Sequence, residues 1–234
     1  MKAAFRYALR HSLPILISFI PVGLAYGILM RTAGLNWAWS GAFSIFVLAG
    51  SLQFLAVSFL AGGVSLVTVA VMALLLNSRH IFYGIPFIEQ WRRYGPWRLF
   101  LIYSLADECF SLHCSNDFDD GDERHKMWSY VFDAMLVVSY WIVLSVLGGL
   151  IGSLIRFDTA GIDFALTALF IVILLEQLRG ADSALPALIA AVSSVVCLLL
   201  FGAANFILPS LTVTVALLFV FRRRITRKEA DAHE

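Results

Sequence analysis

Residues 77–80, with the sequence Asn-Ser-Arg-His, lie in a stretch that otherwise consists almost entirely of apolar residues. Between Ser12 and Ile88 the only residues with a formal charge are Arg31 and Arg79. A cation at the centre of a membrane helix costs roughly 2.5–3.5 kcal/mol on insertion scales. Such a residue normally faces a cavity or a charged partner, so this element is the first candidate for a functional site.

The composition of the whole chain indicates an all-α polytopic membrane protein. Hydrophobic residues make up 60% of the 234 residues, charged residues make up only 14%, and the mean hydropathy is +0.85. About a quarter of the residues in an average soluble domain are charged. The apolar runs are continuous rather than alternating, which favours membrane helices over a β-barrel.

Apolar segments divide the chain into two halves around an acidic loop. They lie at about 12–30, 38–60, 64–88, 98–112, 129–154, 163–178, 184–203 and 206–221. We expect a turn near Gly202, because the uncharged run around it is too long for one crossing. These boundaries predict one membrane transport domain, with repeat 1 at about 12–112, the acidic loop at 113–128, repeat 2 at about 129–222 and a basic tail at 223–234.

A short pattern occurs in both halves of the chain. Residues 23–38 contain Gly-x-x-x-Gly, then arginine, then Thr-Ala-Gly, and residues 148–165 contain the same elements in the same order around a short insertion. Small residues at this spacing let two helices approach closely in lipid. The match predicts an internal duplication.

The orientation of the two copies depends on how many segments cross the membrane. If all of them cross, the copies are parallel, and the Arg92–Arg98 loop lies outside, against the positive-inside bias. If one segment per half is re-entrant or broken, the second copy is inverted, and both termini, the Arg92–Arg98 loop and Arg156 lie in the cytoplasm. We favour this inverted repeat, with about six full crossings, an external acidic loop, and interruptions at Ala49–Ser51 and Asn77–Ser78.

Helix-breaking and polar residues mark the first two segments. Proline removes a backbone donor, and small residues punctuate the second segment, so we predict helix breaks at Pro21, Gly50 and Ser51. The carbonyls freed there either meet a ligand or belong to ordinary kinks. Gln53 offers a donor and an acceptor, either to a ligand or to a neighbouring helix.

The third and fourth segments carry the ionisable candidates. Asn77 and His80 are three residues apart and share a helix face, and His80 suits a proton relay near neutral pH. Arg79 either clamps a carboxylate with two parallel hydrogen bonds or snorkels to an interface. Asp107 and Glu108 are adjacent acids, which either hold a proton or a substrate ammonium, or mark a helix end among headgroups.

The remaining polar residues support fewer functions. Asp133 and Glu176 are second-rank candidates near the ends of predicted spans. The three cysteines have no paired spacing, so we expect no disulfide framework, no metal site and no cofactor. The arginines of the C-terminal tail are typical of an anchor at anionic membrane lipid. No P-loop, metalloprotease motif or nucleophile elbow occurs, which disfavours an ATP-driven pump and a membrane protease, and we expect no nucleic-acid partner.

Four stretches of the sequence stand out as motifs, at Pro21–Gly27, Ala49–Phe54, Leu76–Gly84 and Leu105–Phe110. In order and spacing they resemble the AzlC family of bacterial branched-chain amino acid exporters. The resemblance in motifs covers about the first half of the chain, and hydropathy agrees across the rest. Two departures are Ala106, where many members have threonine before the acid pair, and the strongly acidic loop. Neither departure affects the Asn-x-Arg-His element.

The resemblance implies the large subunit of a secondary transporter that works with a small hydrophobic partner of the AzlD type. Such a pair exports valine-like or other hydrophobic amino acids across the bacterial inner membrane, and proton antiport would drive the export. The expected substrate-binding residues are Gln53, Asn77, Arg79, Asp107 and Glu108. The expected proton-coupling residues are His80, Asp107 and Glu108, and Phe54, Phe82 and Tyr83 suit an apolar wall.

Two other classes of function stay open from the sequence. A membrane scaffold or binding subunit without a transport path predicts that substrate still moves when Arg79 and Asp107 are neutralised. An intramembrane enzyme would use His80 with Asp107 or Glu108, but the chain shows no recognisable nucleophile or metal set. We therefore expect a transporter and no enzymatic activity.

Overall fold

The computed structural model describes residues 1–154, 171, 174, 175, 178, 185–202, 206 and 209–220. Every regular element among them is a helix, in agreement with the all-α membrane fold expected from the sequence. The expectations for Arg156, Glu176, the second Thr-Ala-Gly element and the tail at 223–234 concern residues outside this described part, as do those for most of the segment at 163–178.

The chain forms two compact units, residues 1–160 and 161–234. The helices of the first unit are α1 (Lys2–His11), α2 (Leu13–Thr32), α3 (Trp37–Phe46), α4 (Gly50–Gly62), α5 (Leu66–Asn77), α6 (His80–Tyr83), α7 (Ile88–Trp91), α8 (Trp97–Tyr103), α9 (Asp107–Cys114) and α10 (Glu123–Leu154), with a 3-10 turn at Ile85–Phe87. In the second unit, α11 (Leu185–Phe201) and α12 (Pro209–Val220) are joined by a hydrogen bond of 2.9 Å between Ser194 Oγ and Ser210 Oγ. Gly202 follows α11 with a φ of 71°, where the sequence predicts a turn.

Three stretches of the described residues are long and apolar enough to cross a membrane. They are Leu13–Thr32, Leu66–Trp91 and Glu123–Leu154, which correspond to α2, to α5 through α7, and to α10. Shorter apolar helices lie at Gly50–Leu60, Leu185–Phe201 and Pro209–Val220. Some of the predicted segments are therefore built from helices that are too short to cross alone.

Helices α2 and α10 pack against each other along both copies of the glycine pattern. A Cβ atom added at Gly27 would lie 2.1 Å from the carbonyl oxygen of Ser145, so only glycine permits this backbone approach. The facing residues advance together along the two helices, as Gly23 with Leu144, Gly27 with Ser145, and Arg31 with Gly152. The two helices are therefore parallel.

The parallel orientation corrects the expectation of inverted copies, which does not hold for these two helices. The Tyr7 hydroxyl donates a hydrogen bond of 2.7 Å to Asp117, so the acidic loop lies at the same end as the N-terminus and not opposite to it. The loop that follows Trp91 is also at this end, since Trp91 packs edge-on against Tyr130 near the start of α10, with 6.4 Å between the ring centroids. The N-terminal basic residues, the Arg92–Arg98 loop and the acidic loop thus share one side.

The second predicted segment is a helical hairpin rather than a single crossing. Helix α3 begins with Trp37 beside Gly149 of α10 and runs antiparallel to α10, toward Trp141. The Trp141 indole donates a hydrogen bond of 2.9 Å to Gln53 at the start of α4. The chain reverses at residues 47–49, where Leu48 has a φ of 40°. Ser51 then lies beside Arg79, which follows α5, so α4 and α5 are antiparallel around the turn at residues 63–65. The α3–α4 hairpin therefore enters and leaves at the C-terminal end of α10.

The fourth predicted segment forms a second hairpin that enters from the opposite end. Helix α8 begins where Trp97 packs on Trp128, with 5.0 Å between ring centroids. After a break at residues 104–106, α9 leads back to Asn116, which donates a hydrogen bond of 3.1 Å to Ser129. The tips of the two hairpins meet where the Tyr103 hydroxyl donates to the carbonyl oxygen of Ile45. Ala49, Ser104 and Leu105, which lie in the two breaks, are buried, and irregular backbone at membrane depth is tolerated where protein covers it.

The observed helix breaks differ in one place from those predicted. Helix α2 continues through Pro21 without interruption, so the break predicted there is wrong. Membrane helices accommodate proline where neighbouring groups satisfy the freed carbonyl. The other interruptions lie at residues 47–49, directly before Gly50 and Ser51, which begin α4, and at residues 78–79, directly after Asn77.

The glycine contact gives a direct test of the α2–α10 packing. Gly27→Ala should lower the free energy of unfolding by about 1–3 kcal/mol, because the added methyl group forces two backbones apart. Gly62→Ala is the matched control, since its Cβ would meet only the Val64 side chain at 3.7 Å. Thermal denaturation in detergent measures both variants, and equal stability of the two would contradict the packing.

The sidedness of the loops is a second test. In a chain whose three cysteines are replaced by serine, single cysteines at Lys2, Arg93 and Asp119 should react with a membrane-impermeant thiol reagent from one and the same side. A cysteine at Asn36, between α2 and α3, should react only from the other side. Intact cells and inverted vesicles provide the comparison. Labelling of Asp119→Cys from the side that labels Asn36→Cys would show that the parallel arrangement is wrong.

Candidate functional site

The interruption between α5 and α6 places Arg79 beside two other interrupted elements. The Ser78 hydroxyl donates a hydrogen bond of 2.7 Å to the carbonyl oxygen of Leu75, which satisfies one acceptor at the end of α5. Ser78 and Arg79 both keep right-handed helical dihedral angles, so the chain continues in the same general direction. The crossing from Leu66 to Trp91 is therefore a helix that is interrupted in its interior, near Arg79.

Arg79 forms an ion pair with Asp107, the first residue of α9. Its Nη2 lies 2.8 Å from Oδ2 of Asp107, and each side chain is 35% exposed. The same nitrogen lies 3.5 Å from Oγ of Ser51 in the first turn of α4. A carboxylate in the first turn of a helix is also stabilised by the helix dipole. The ion pair thus joins the interrupted crossing to the inner ends of both hairpins.

Tyr83 holds the second oxygen of the same carboxylate. Its hydroxyl donates a hydrogen bond of 2.5 Å to Oδ1 of Asp107, and its ring stacks on Phe110 at 4.6 Å. The His80 ring lies 5.5 Å from the Tyr83 ring. Asp107 is therefore fixed in orientation by a cation on one oxygen and a phenol on the other. The sequence suggested only an apolar role for Tyr83, although its position four residues after Arg79 puts both on one helix face.

The arginine keeps a donor for a further acceptor. Within the described part of the chain, Nε of Arg79 is buried and has no hydrogen-bond partner. Glu108, the neighbour of Asp107, is partly buried and contributes a second carboxyl to this region. Asn77 is the last residue of α5, two positions before Arg79, and is also partly buried. Most of the site residues predicted from the sequence are thus near one another, either in the structure or along the chain. They are Asn77, Arg79, His80, Asp107 and Glu108.

Gln53 lies apart from the ion pair and is already hydrogen bonded. It is fully buried, its amide nitrogen donates to Ser44 at 3.2 Å, and its amide oxygen accepts from Trp141 at 2.9 Å. These bonds join α3, α4 and α10, which is the interhelical alternative that the sequence left open. A role of Gln53 in substrate binding stays a prediction.

The structure offers no metal-binding cluster among the residues it describes. No group of three or more His, Cys, Asp or Glu side chains there is arranged to hold a metal ion. The cysteines at positions 109, 114 and 197 are free thiols. The groups that the structure brings together around Arg79 are its carboxylate partner and the neighbouring phenol, carboxyl and imidazole.

Comparison with known proteins identifies relatives over almost the full length of the chain. The family model described as AzlC protein matches residues 14–155. The chain is 35% identical to the branched-chain amino acid transport protein AzlC of Bacillus subtilis over 229 residues, which are 98% of this chain and 89% of that protein. It is 34% identical to an uncharacterized membrane protein of Helicobacter pylori, over 95% of this chain and 96% of the relative. The inner membrane protein YgaZ of Escherichia coli is 29% identical over 78% of this chain and 76% of its own length. No solved structure shows a significant match to the chain.

A double-mutant cycle tests the ion pair. Arg79→Gln and Asp107→Asn, singly and together, should show a coupling energy of about 1 kcal/mol, because the partly exposed pair is screened less than a surface pair but more than a buried one. The free energy of unfolding in detergent is the measurement. Arg93→Gln combined with Asp107→Asn is the control and should be additive. A coupling of zero for the first pair would show that the contact contributes nothing.

Proposed function

The chain belongs to the AzlC family, and we propose that it is the large subunit of a secondary transporter that exports branched-chain or other hydrophobic, valine-like amino acids across the bacterial inner membrane. The observation that carries this proposal is the ion pair between Arg79, in the interior of an interrupted crossing helix, and Asp107, at the start of α9. A free amino acid has one carboxylate, one ammonium and an apolar side chain. The pair supplies one counter-charge for each end of such a molecule.

The ion pair suggests how the substrate enters the site. The substrate carboxylate binds Arg79, whose guanidinium can donate two parallel hydrogen bonds and whose Nε is unused in the described structure. The substrate ammonium then takes the place of the arginine beside Asp107. Each protein charge keeps a partner throughout, so the exchange avoids the cost of leaving a charge unpaired at membrane depth. The stacked rings of Tyr83 and Phe110 offer an apolar surface next to both charges.

Proton coupling follows from competition for the same carboxylate. When a proton binds Asp107, the carboxyl loses its attraction for Arg79 and for the substrate ammonium. Glu108 and His80 are the adjacent groups that can pass or store this proton, and Tyr83 keeps the carboxyl oriented. Proton and substrate thus occupy the site alternately, which is the requirement for antiport. We assign proton coupling to His80, Asp107 and Glu108 on this basis.

The two hairpins provide a path for alternating access. The α3–α4 hairpin enters from one end of α10 and the α8–α9 hairpin from the other, and interrupted helices of this kind commonly hold transporter substrates near the midplane. Movement of one hairpin opens the site to one side while the other stays closed. We place the N-terminus in the cytoplasm, since the basic residues of α1 and of the Arg92–Arg98 loop share one side, and the C-terminus there too, from the arginines that the sequence has in the tail at 223–234.

A small hydrophobic membrane subunit of the AzlD type completes the transporter. Few residues of the crossing that carries Arg79 are buried by other parts of the described structure. In its most apolar stretch, 6% of the residues are buried. Leu66, Val67 and Leu74 on this crossing are between 69% and 85% exposed. Such a face suits lipid on one part and a second apolar subunit on another.

Removal of the guanidinium is the primary test of function. Arg79→Ala should abolish counterflow of radiolabelled valine in proteoliposomes while the protein still inserts and purifies normally. The assay is run with and without the small subunit and at two pH gradients. Arg93→Ala, in the exposed loop, is the matched control and should retain counterflow. Normal counterflow by Arg79→Ala and by Asp107→Asn would favour a scaffold subunit and overturn the proposal.

A further inference from the structure

A second group of titratable side chains lies at the N-terminal end of α10. Asp133 is completely buried, and its Oδ2 accepts hydrogen bonds from His11 Nδ1 at 3.2 Å and from Asn116 Nδ2 at 3.0 Å. His11 is the last residue of α1, and Asn116 follows the end of α9. Three separate parts of the chain therefore converge on one carboxyl group that the proposed transport mechanism does not yet use.

The buried carboxyl has an incomplete set of partners. Within the described residues, Oδ1 of Asp133 is buried and accepts no hydrogen bond, and His11 is the only ionisable base that pairs with the carboxyl. An ionised carboxylate in this position depends on a positive charge on His11, because an unpaired buried charge is costly. The protonation states of His11 and Asp133 are therefore coupled to each other.

His11 connects this buried acid to solvent. An open cleft of about 580 Å³ is lined by Arg6, Tyr7, Arg10, His11 and Ser115, among others. The His11 side chain is 19% exposed, while Asp133 is 0% exposed. Nε2 of His11 lies 3.1 Å from Oγ of Ser115 on the cleft side, and Nδ1 faces the acid. The imidazole thus stands between water in the cleft and the buried carboxyl.

The same residues hold the end of the hairpin that carries the transport site. Ser115 and Asn116 directly follow α9, and both are bonded to the pair or to its imidazole. Asp107 is the first residue of that helix, which is about 12 Å long at 1.5 Å per residue. A change in charge at His11 and Asp133 therefore acts on one end of the helix whose other end binds Arg79.

Other titratable and charged groups surround the pair on every side. Arg6 and Arg10 on α1 line the cleft beside His11, and so does Asp117 in the acidic loop. Burial, and then the hydrogen bond to Asp117, raises the pKa of Tyr7, so Tyr7 remains a neutral donor around neutral pH. The other ionisable side chains near the pair are Cys109 and His113 on α9 and Tyr130 on α10. Among these groups, His11 and Asp133 are joined directly, with 3.2 Å between Nδ1 and Oδ2.

We propose that His11 and Asp133 form a second proton-binding site, which takes up a proton from the cleft. The change in charge alters how strongly Asn116, and with it the end of the α8–α9 hairpin, is held by Asp133. Water in the cleft delivers the proton to Nε2 of His11. The imidazolium then keeps its Nδ1 proton in a hydrogen bond to Oδ2 of Asp133, so the pair takes up one proton and gains one positive charge. This proposal rests on the proposed proton-coupled transport. In that transport, the pair is the place where protons enter the protein from the side on which the N-terminus lies.

The first experiment reads proton binding without any transport. The full chain is labelled with 15N-histidine in detergent micelles, and the His11 signals are assigned by their loss in His11→Gln. In Asp133→Asn the titration midpoint of His11 should fall by about one pH unit, because an adjacent carboxylate stabilises the imidazolium. Asp119→Asn removes an exposed carboxylate of the acidic loop and should leave the midpoint in place. An unchanged midpoint in Asp133→Asn would overturn the proposal.

The second experiment reads the consequence for transport in proteoliposomes with the small subunit. Asp133→Asn and His11→Gln should retain valine counterflow, which needs no net proton movement, and should lose the acceleration of valine efflux by a pH gradient. Two variants are used so that poor folding of one still leaves a decisive result. A full response to the gradient in a folded variant would overturn the proposal. If the unmodified protein moves no amino acid, the proposed function fails, and the histidine titration alone decides the proton-binding site.

Discussion

The close parallel contact between α2 and α10 determines how the rest of the first unit is arranged. Glycines in both helices bring the two backbones together, and a single added Cβ at Gly27 would lie 2.1 Å from a carbonyl oxygen. Two parallel helices in one membrane require an odd number of crossings between them. The described chain meets this requirement with one interrupted crossing and two hairpins that return to the side from which they entered.

This arrangement gives a physical reason for a charged residue in an apolar sequence. A hairpin that ends inside the membrane leaves backbone groups and short polar side chains near the midplane, and these are tolerated only where protein or a cavity surrounds them. Arg79 lies where the two hairpins approach the interrupted crossing, and Asp107 meets it from the start of α9. The cost of each charge is reduced by the other, and both remain partly exposed to a ligand. The interruption and the ion pair thus form one site, which in the proposed function binds a charged, partly apolar molecule.

Several parts of this structure could be predicted from single residues, and others could not. The break beside Asn77 follows from a charge and small polar residues inside an apolar run, which is a local signal. The expectation of inverted copies does not hold for α2 and α10, because it gives weight to the negative charges of the acidic loop, whereas acidic residues contribute little to membrane topology. The helix break predicted at Pro21 is wrong because neighbouring groups, which the sequence does not show, decide whether a membrane helix bends or continues at a proline.

Contacts between distant residues were beyond sequence reasoning. His11 and Asp133 are separated by 122 positions, and each alone resembles an ordinary residue near the end of a span. The hydroxyl of Tyr83 was assigned no polar role, because its bond to Asp107 depends on how α9 returns toward α6. Sequence patterns identify which residues are costly in lipid, but the fold determines which of them become partners.

The account depends most directly on the substrate binding between Arg79 and Asp107. A single cysteine at Ser51, which lies 3.5 Å from Arg79, reports occupancy of this place in a chain whose native cysteines are serine. Saturating valine should slow the reaction of Ser51→Cys with a small thiol reagent in liposomes that carry out counterflow. An unchanged reaction rate in those same liposomes would mean that the amino acid binds elsewhere, and would contradict the central claim.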